Sequence, residues 1–308
     1  MPEQEDEESQ LDEEETVEED YEPWPRDVAI DATKEKLLKF FDEHAQGVYY
    51  DQQLRVLFEE RPYKVFQWIT GKALTEFREE RGLNSILLEI GTGKEIAQEL
   101  ISLPGAPTVI RFFWHPRTRF WRRTANRILK LVRQFSTTDF AYGLGHQGEL
   151  LADLALLNAG FRIGGTKVRS WGGKTWGASK HDLDRVYERD RISYGCEIKN
   201  TLGYIPKDEL TIKIEICRYL GLRPLVIARS LPPHYVHLLH DAGGLGWIIG
   251  KQAWPFGQES LAEQVRRQLG YHISCAPAVE DGAVARFLKA HDALVRRSKR
   301  RNKKAKTT

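Results

Sequence analysis

Two acids and an acid-apolar-lysine triplet within residues 181–200 (HDLDRVYERDRISYGCEIKN) are the groups of this chain best suited to covalent chemistry. Side chains on a strand alternate between faces. Asp182 and Asp184 therefore share one face of an extended segment, and Glu197 and Lys199 share one face of the next. Cys196 and Ile198 then point the other way, toward a core. Residues 188–191 (ERDR) make a polar four-residue connection of ordinary hairpin length, so the segments read as an antiparallel pair gathering carboxylates and one ammonium. Two carboxylates can hold Mg²⁺ through oxygen, while a lysine beside them positions or deprotonates the attacking water, as phosphodiester hydrolysis requires. The plainer account is a solvated hairpin whose charges pair across strands. Of the nineteen lysines, Lys199 alone has an acid two positions before it, so the triplet is no by-product of a charge-rich composition.

This arrangement resembles the PD-(D/E)XK nuclease superfamily, whose active site joins an acid on one strand to acid-x-Lys on the next; here these are Asp184 and Glu197-Ile198-Lys199. The resemblance extends to an upstream helical acid in Gly148-Glu149-Leu150-Leu151 and to a helix and strand over residues 208–229, covering about residues 141–229. Leu183 stands where the motif's proline would precede the acid. A variant with acid-apolar-Asp matches Asp182-Leu183-Asp184, which leaves two candidates for the first ligand. The resemblance implies an α/β restriction-endonuclease-like fold with a mixed central sheet sandwiched by helices. It also implies Mg²⁺, with Mn²⁺ able to substitute, held by Asp184, Glu197 and the Ile198 carbonyl. Glu149 would serve a second metal or orient water, Lys199 would activate the water, and Asp182 would support the cluster. The implied activity is metal-dependent endonucleolytic cleavage of DNA in restriction, repair or recombination. The alternatives are a non-catalytic DNA-binding or regulatory protein that retains the nuclease fold, and an RNA-directed nuclease.

The charge balance points to the same class of partner. Residues 1–22 hold thirteen acids and no base, which leaves 46 basic against 31 acidic residues elsewhere behind a formal net charge of +2. A basic body suits polyanions, because neutralising phosphates releases counterions; the acidic stretch, residues 1–24, reads as a disordered tail. No run of eighteen apolar residues, lipid-anchor motif or leader-like start occurs, so the expectation is a soluble cytoplasmic protein, nucleoid-associated or nuclear, with no membrane partner. Three widely spaced cysteines, Cys196, Cys217 and Cys275, argue for reduced interior thiols rather than a zinc site.

Residues 25–116 read as a small helical, winged-helix-like nucleic-acid-binding domain: helices around Leu37–Phe41, Leu54–Phe58 and residues 65–80 precede strands at 86–90 and 109–114. Ile69, Ala73 and Phe77 would face its core, leaving Lys72, Thr75 and Arg78 to solvent. Residues 117–140 form a basic linker helix, with seven arginines, one lysine and no acid between Arg111 and Arg133. From Arg117 onward Trp121, Ala125, Ile128, Val132 and Phe135 fall on one face, and Arg119, Arg123, Arg127 and Lys130 on a phosphate-contacting one.

Residues 141–275 form the nuclease domain. A helix over 145–158 would bury Leu150, Leu151, Leu154 and Leu157 and carry Glu149 in its first turn, where the helix dipole offers a purely structural account of the acid. The turn WGGKTWG with Lys174 suits either base stacking or a packed hairpin tip. A helix over 208–220 buries Leu210, Ile214 and Cys217; Lys213 on it could approach the scissile phosphate, but a surface lysine is the plainer reading. His234, His237 and His240 read as helix surface rather than a metal stripe. Residues 276–308 supply a terminal helix and a tail with eight lysines and arginines in the last thirteen positions. The expected partner is DNA, with a dimer if the cuts are double-stranded or at junctions.

Overall fold

The computed structural model describes residues 28–80, 82–97 and 108–304. The acidic stretch 1–24 and the end of the basic tail lie outside the described residues.

The helical stripes of the first third fold as their spacing predicts. α1 (Val28–Glu43), β1 (Val48–Tyr50), α2 (Asp51–Glu59) and α3 (Gln67–Glu79) precede β2 (Asn84–Glu89) and β3 (Val109–Trp114). Leu37, Phe40 and Phe41 of α1, Leu54 and Phe58 of α2, and Ile69, Ala73, Leu74 and Phe77 of α3 recur at helical spacing and meet in one core. β1 is an addition to the sequence reading. Three residues are too few to display alternation, yet it pairs antiparallel with β3 in a sheet of order β1-β3-β2.

Two helix starts differ from expectation. α4 (Trp121–Phe135) begins after Phe120, not at Arg117, because Phe120 takes φ 54°, in the left-handed region that interrupts a right-handed helix. α5 (Thr138–Asn158) begins seven residues before 145, where the Thr137 hydroxyl caps it by accepting from the Phe140 N–H at 3.2 Å. Leucine content misled the choice of its buried face: Leu151, Ala152 and Leu156 are buried, whereas Leu154 and Leu157 are 42% and 46% exposed.

The second half is built on a mixed five-stranded sheet. β4 (Arg162–Val168), the small hairpin β5 (Ser170–Trp171) and β6 (Lys174–Thr175), β7 (Leu183–Arg189) and β8 (Ile192–Lys199) are followed by α6 (Lys207–Leu220), β9 (Arg223–Ala228), α7 (Pro233–Asp241) and β10 (Leu245–Ile248). Strand order is β10-β9-β8-β7-β4, parallel from β10 to β8 and antiparallel from β8 to β4. The β7–β8 connection is Asp190-Arg191 alone, at φ 53° and 62°, and not the four residues expected. Both turn residues take the left-handed values that match the strand twist of a two-residue hairpin.

β11 (Gln252–Ala253), α8 (Glu259–Leu269), β12 (Ile273–Ser274) and α9 (Asp281–Lys304) complete the chain. α5 and α9 cover one sheet face, where Leu156, Phe287 and Leu294 pack on Tyr194, Cys196 and Trp247. α6 and α7 cover the other, where Leu210, Ile214 and Tyr235 meet Val226 and Ala228. A further core crosses the divisions drawn from the sequence: Tyr50, Phe112 and Trp114 of the first sheet pack with Ile128 and Val132 of α4, Trp254, and Val265 and Leu269 of α8. The result is an α/β architecture whose central sheet carries helices on both faces, with the edge strand β4 largely exposed.

Candidate active site

The two acids expected to act together are neighbours. Register between β7 and β8 pairs Arg185 with Cys196, so Asp184 and Glu197 follow at the adjoining strand ends. The Ile198 N–H donates to Asp184 Oδ2 at 2.7 Å. Glu197, only 3% exposed, lies under α6. Lys199 Nζ is 2.8 Å from Glu197 Oε1 and 2.8 Å from Glu209 Oε1 of α6. Lys213 Nζ is 2.6 Å from Glu197 Oε2 and donates to the Asp182 carbonyl at 2.5 Å. Asp184 is thus the acid brought to Glu197, and Asp182 contributes its main-chain oxygen.

The electrostatics follow from burial and like charge. Burial, then the negative charge of Glu197, pushes the Asp184 carboxyl up to about 6, while the Ile198 N–H and Lys213 oppose the shift. Burial pulls Lys199 down, but hydrogen bonding and attraction from Glu197 and Glu209 outweigh it, and the net shift is upward. Lys199 is held as an ammonium between two carboxylates.

Lys213 is corrected, from surface lysine to a side chain 6% exposed within the cluster. The signal was present in its spacing. It lies three residues after Leu210 and four before Cys217, on their buried stripe. Glu209, beside Leu210, carried no comparable signal.

Glu149 lies in the middle of α5, so the helix-dipole account fails with the earlier helix start. Its Oε2 accepts from Arg185 Nη2 at 2.7 Å, and Arg185 Nε donates to Asp153 Oδ1 at 3.2 Å. Tyr187 donates its hydroxyl to the same Asp153 oxygen at 2.6 Å. Alternation along β7 thus sends Arg185 and Tyr187 toward α5 and leaves Asp184 on the α6 side. Neither Arg185 nor Asp153 stood out in the sequence, because their pairing depends on how α5 crosses the sheet.

Asn200, also overlooked, ties the site to its surroundings. Its Nδ2 donates to the carbonyls of Leu144 at 2.7 Å and Ala253 at 2.6 Å, and its Oδ1 accepts from the Ala253 N–H at 2.7 Å. A Cβ on Gly148 would stand 2.5 Å from the Asn200 Cβ, so only glycine lets α5 approach the end of β8 this closely.

Among the described residues, no three His, Cys, Asp or Glu side chains converge as a metal-holding group. Glu149, bonded to Arg185, adds its negative charge to that of Glu197 in raising Asp184. Asp184 and Glu197 still suit one hard divalent cation. Glu197 Oε2 is buried without a hydrogen bond, since the nearby Lys213 ammonium is close but not aligned to donate. Asp184 faces a second negative charge. Two adjacent carboxylates are oxygen donors of the kind such a cation takes.

The expected phosphate-binding residues fall into two groups. Arg119, Arg123, Arg127 and Lys130 are exposed on and just before α4, as is Lys72 on α3; none has a side-chain partner among the described residues. Lys174 is engaged instead, donating to the Tyr219 carbonyl at 3.1 Å near the end of α6. The tryptophans beside it belong to a packed hairpin tip: Trp171 packs against the core and Trp176 donates to Ser179 Oγ at 3.0 Å. His234, His237 and His240 are exposed on α7. All three cysteines are free, and burial pushes the Cys217 thiol up to about 12. No described helix is long and apolar enough to cross a membrane.

Comparison with protein-family models, curated proteins and solved structures returns no significant match to this chain.

Proposed function

We propose that the chain is a metal-dependent endonuclease of the PD-(D/E)XK type that acts on DNA. One observation carries this reading: Asp184 and Glu197 are held side by side at partly buried strand ends, with the Lys199 ammonium on Glu197. Gathering two carboxylates in a site of low polarity opposes stability, and a divalent cation relieves the repulsion. The mixed sheet covered by helices on both faces supports a restriction-endonuclease-like fold. The order helix, strand, helix, helix, strand, strand over α1 to β3 supports a winged-helix reading of the first third.

Asp184, Glu197 and the Ile198 carbonyl would hold Mg²⁺ or Mn²⁺, which when bound supplies Lewis-acid polarisation of the phosphate and its water. Lys199, kept protonated by Glu197 and Glu209, contributes positive charge to the phosphoryl oxygens as negative charge develops on them. Arg185 fixes the orientation of Glu149 at the edge of the site. The exposed cations of α4 and α3 hold the DNA backbone without reading its sequence.

The second reading is a non-catalytic DNA-binding protein, favoured by the two lysines that already flank Glu197. Single-turnover assays with Mg²⁺, Mn²⁺ or chelator on single-stranded, duplex and branched DNA and on RNA separate the two. Lys199→Ala is expected to slow cleavage by roughly two to three orders of magnitude, about 3–4 kcal/mol, with calorimetric Mg²⁺ binding retained. Glu197→Gln should lose both. Wild-type protein inactive on every substrate would establish the non-catalytic reading, and Lys199→Ala cleaving at the wild-type rate would remove its assigned role.

A further inference from the structure

Beyond the end of β8 lies an open cavity of about 370 Å³, lined among others by Phe135, Ala141, Leu144, Lys199, Asn200 and Trp254. Its position follows from the chain path: Phe135 ends α4, Ala141 and Leu144 open α5, and Lys199-Asn200 leave the strand that bears Glu197. The volume is at the lower end of the roughly 300–1,000 Å³ of sites that take small organic ligands and has room for one nucleobase.

The wall chemistry narrows the occupant. Half-buried Phe135 is the ring with surface to offer, Trp254, 1% exposed, packs behind it with ring centroids 5.6 Å apart, and Leu144 adds apolar surface. The polar side chains around the cavity are already engaged with the protein. Asn200 bonds to Leu144 and Ala253, and Gln252 donates to the Asn200 carbonyl at 3.1 Å while accepting from Trp254 Nε1 at 3.0 Å. Such walls favour the flat face of an aromatic ring and leave little with which to read its edges. On α4, Arg127 and Lys130 are eight and five residues before Phe135, about 12 and 8 Å along the helix axis, so phosphates held there belong to nucleotides near the cavity.

We propose that this cavity receives one unpaired nucleobase of the DNA strand engaged at Asp184 and Glu197, held by stacking and without regard to base identity. This deepens the nuclease reading and names its substrate class: DNA carrying an unpaired or readily extruded nucleotide, for which the cost of leaving the stack is smallest.

The test uses the full-length protein in chelator, so that binding is read without cleavage. The probes are a duplex and the same duplex with one bulged nucleotide, either ordinary or 2-aminopurine. Wild type is expected to bind the bulged DNA roughly 5- to 100-fold more tightly, the range of one base–aromatic stack. The 2-aminopurine emission should change on binding, and exchange among the four bases should alter affinity by less than about threefold. Ala141→Trp, an exposed helix position, fills the cavity without removing core atoms. It should abolish the preference for the bulge while leaving duplex affinity unchanged. Phe135→Ala removes one wall and should reduce the preference; it serves as the second variant if Ala141→Trp melts early. Equal wild-type affinity for both DNAs, or an undiminished preference in both variants, overturns the proposal. Failure of the nuclease reading looks different: no cleavage of any substrate with metal, whatever the bulge preference measured in chelator.

Discussion

Two clusters of buried charge stand at neighbouring strand ends. Just past β9, Arg229, 2% exposed, bonds to Glu59 and Glu60 of the N-terminal third and donates to the Leu202 carbonyl at 3.0 Å. At the end of β8, Glu197 lies between Lys199 and Lys213 with Asp184 beside it. Parallel register sets Lys199 against Ala228, so the clusters are one residue apart along the sheet. Their carboxylates nonetheless move in opposite directions. Burial raises Glu59, but Arg229 and hydrogen bonds such as the one from Gln67 Nε2 at 2.8 Å bring it below its ordinary value. Burial and Glu197 raise Asp184 to about 6. A buried carboxylate surrounded by donors joins two parts of a protein. One facing a second carboxylate, with a single backbone N–H, is suited to holding a cation.

The largest effect is expected at the first cluster. Arg229→Ala leaves Glu59 buried without its cation and should cost about 3–5 kcal/mol in urea unfolding at pH 7, while the joint change Arg229→Met with Glu59→Leu should recover much of the loss. A single-variant loss under about 1 kcal/mol would mean that the two clusters do not differ as described.

The second cluster should respond with the opposite sign. In chelator, Asp184→Asn removes a repelled charge and is expected to stabilise the protein by about 2 kcal/mol at pH 8. Because the folded carboxyl titrates near 6, above its ordinary 3.8, the folded state binds the extra proton between those values. Wild-type stability from this group therefore rises as pH falls through that window, and the advantage of Asn should vanish by about pH 4. Thermal melts of both proteins across pH 4–8 check this, and a pH-independent difference would contradict it.

Exposed charge provides the contrast to both clusters. Reversing Arg119, Arg123 and Arg127 to Glu should change folding stability by no more than about 0.5 kcal/mol. It should lower the slope of log affinity against log salt by roughly 0.9 for each phosphate that the protein ceases to neutralise. Fluorescence anisotropy over a salt series reads the slope, and an unchanged value locates the DNA surface away from α4.

What the sequence by itself determined is local. Glu197 and Lys199 share a face because the strand period is two, and the stripes of α1 to α3 follow from 3.6 residues per turn. The hydrophobic run at β9 and the helix stop at Gly221, with φ 75°, are equally local. Tertiary structure decided the rest. α5 starts at Thr138 and α4 after Phe120 because a hydroxyl cap and a left-handed residue act there, neither visible in apolar spacing. Lys213 shares its helix's buried stripe, but what makes burial tolerable is a carboxylate from another strand. Glu149 is held by Arg185 only because α5 crosses the opposite face of the same sheet, close enough at Gly148 to touch Asn200. A pattern along one chain segment reports which side chains point together; which partner they meet depends on segments far away in sequence, and that partner sets whether a buried charge is neutralised, as at Glu59, or left facing a like charge, as at Asp184.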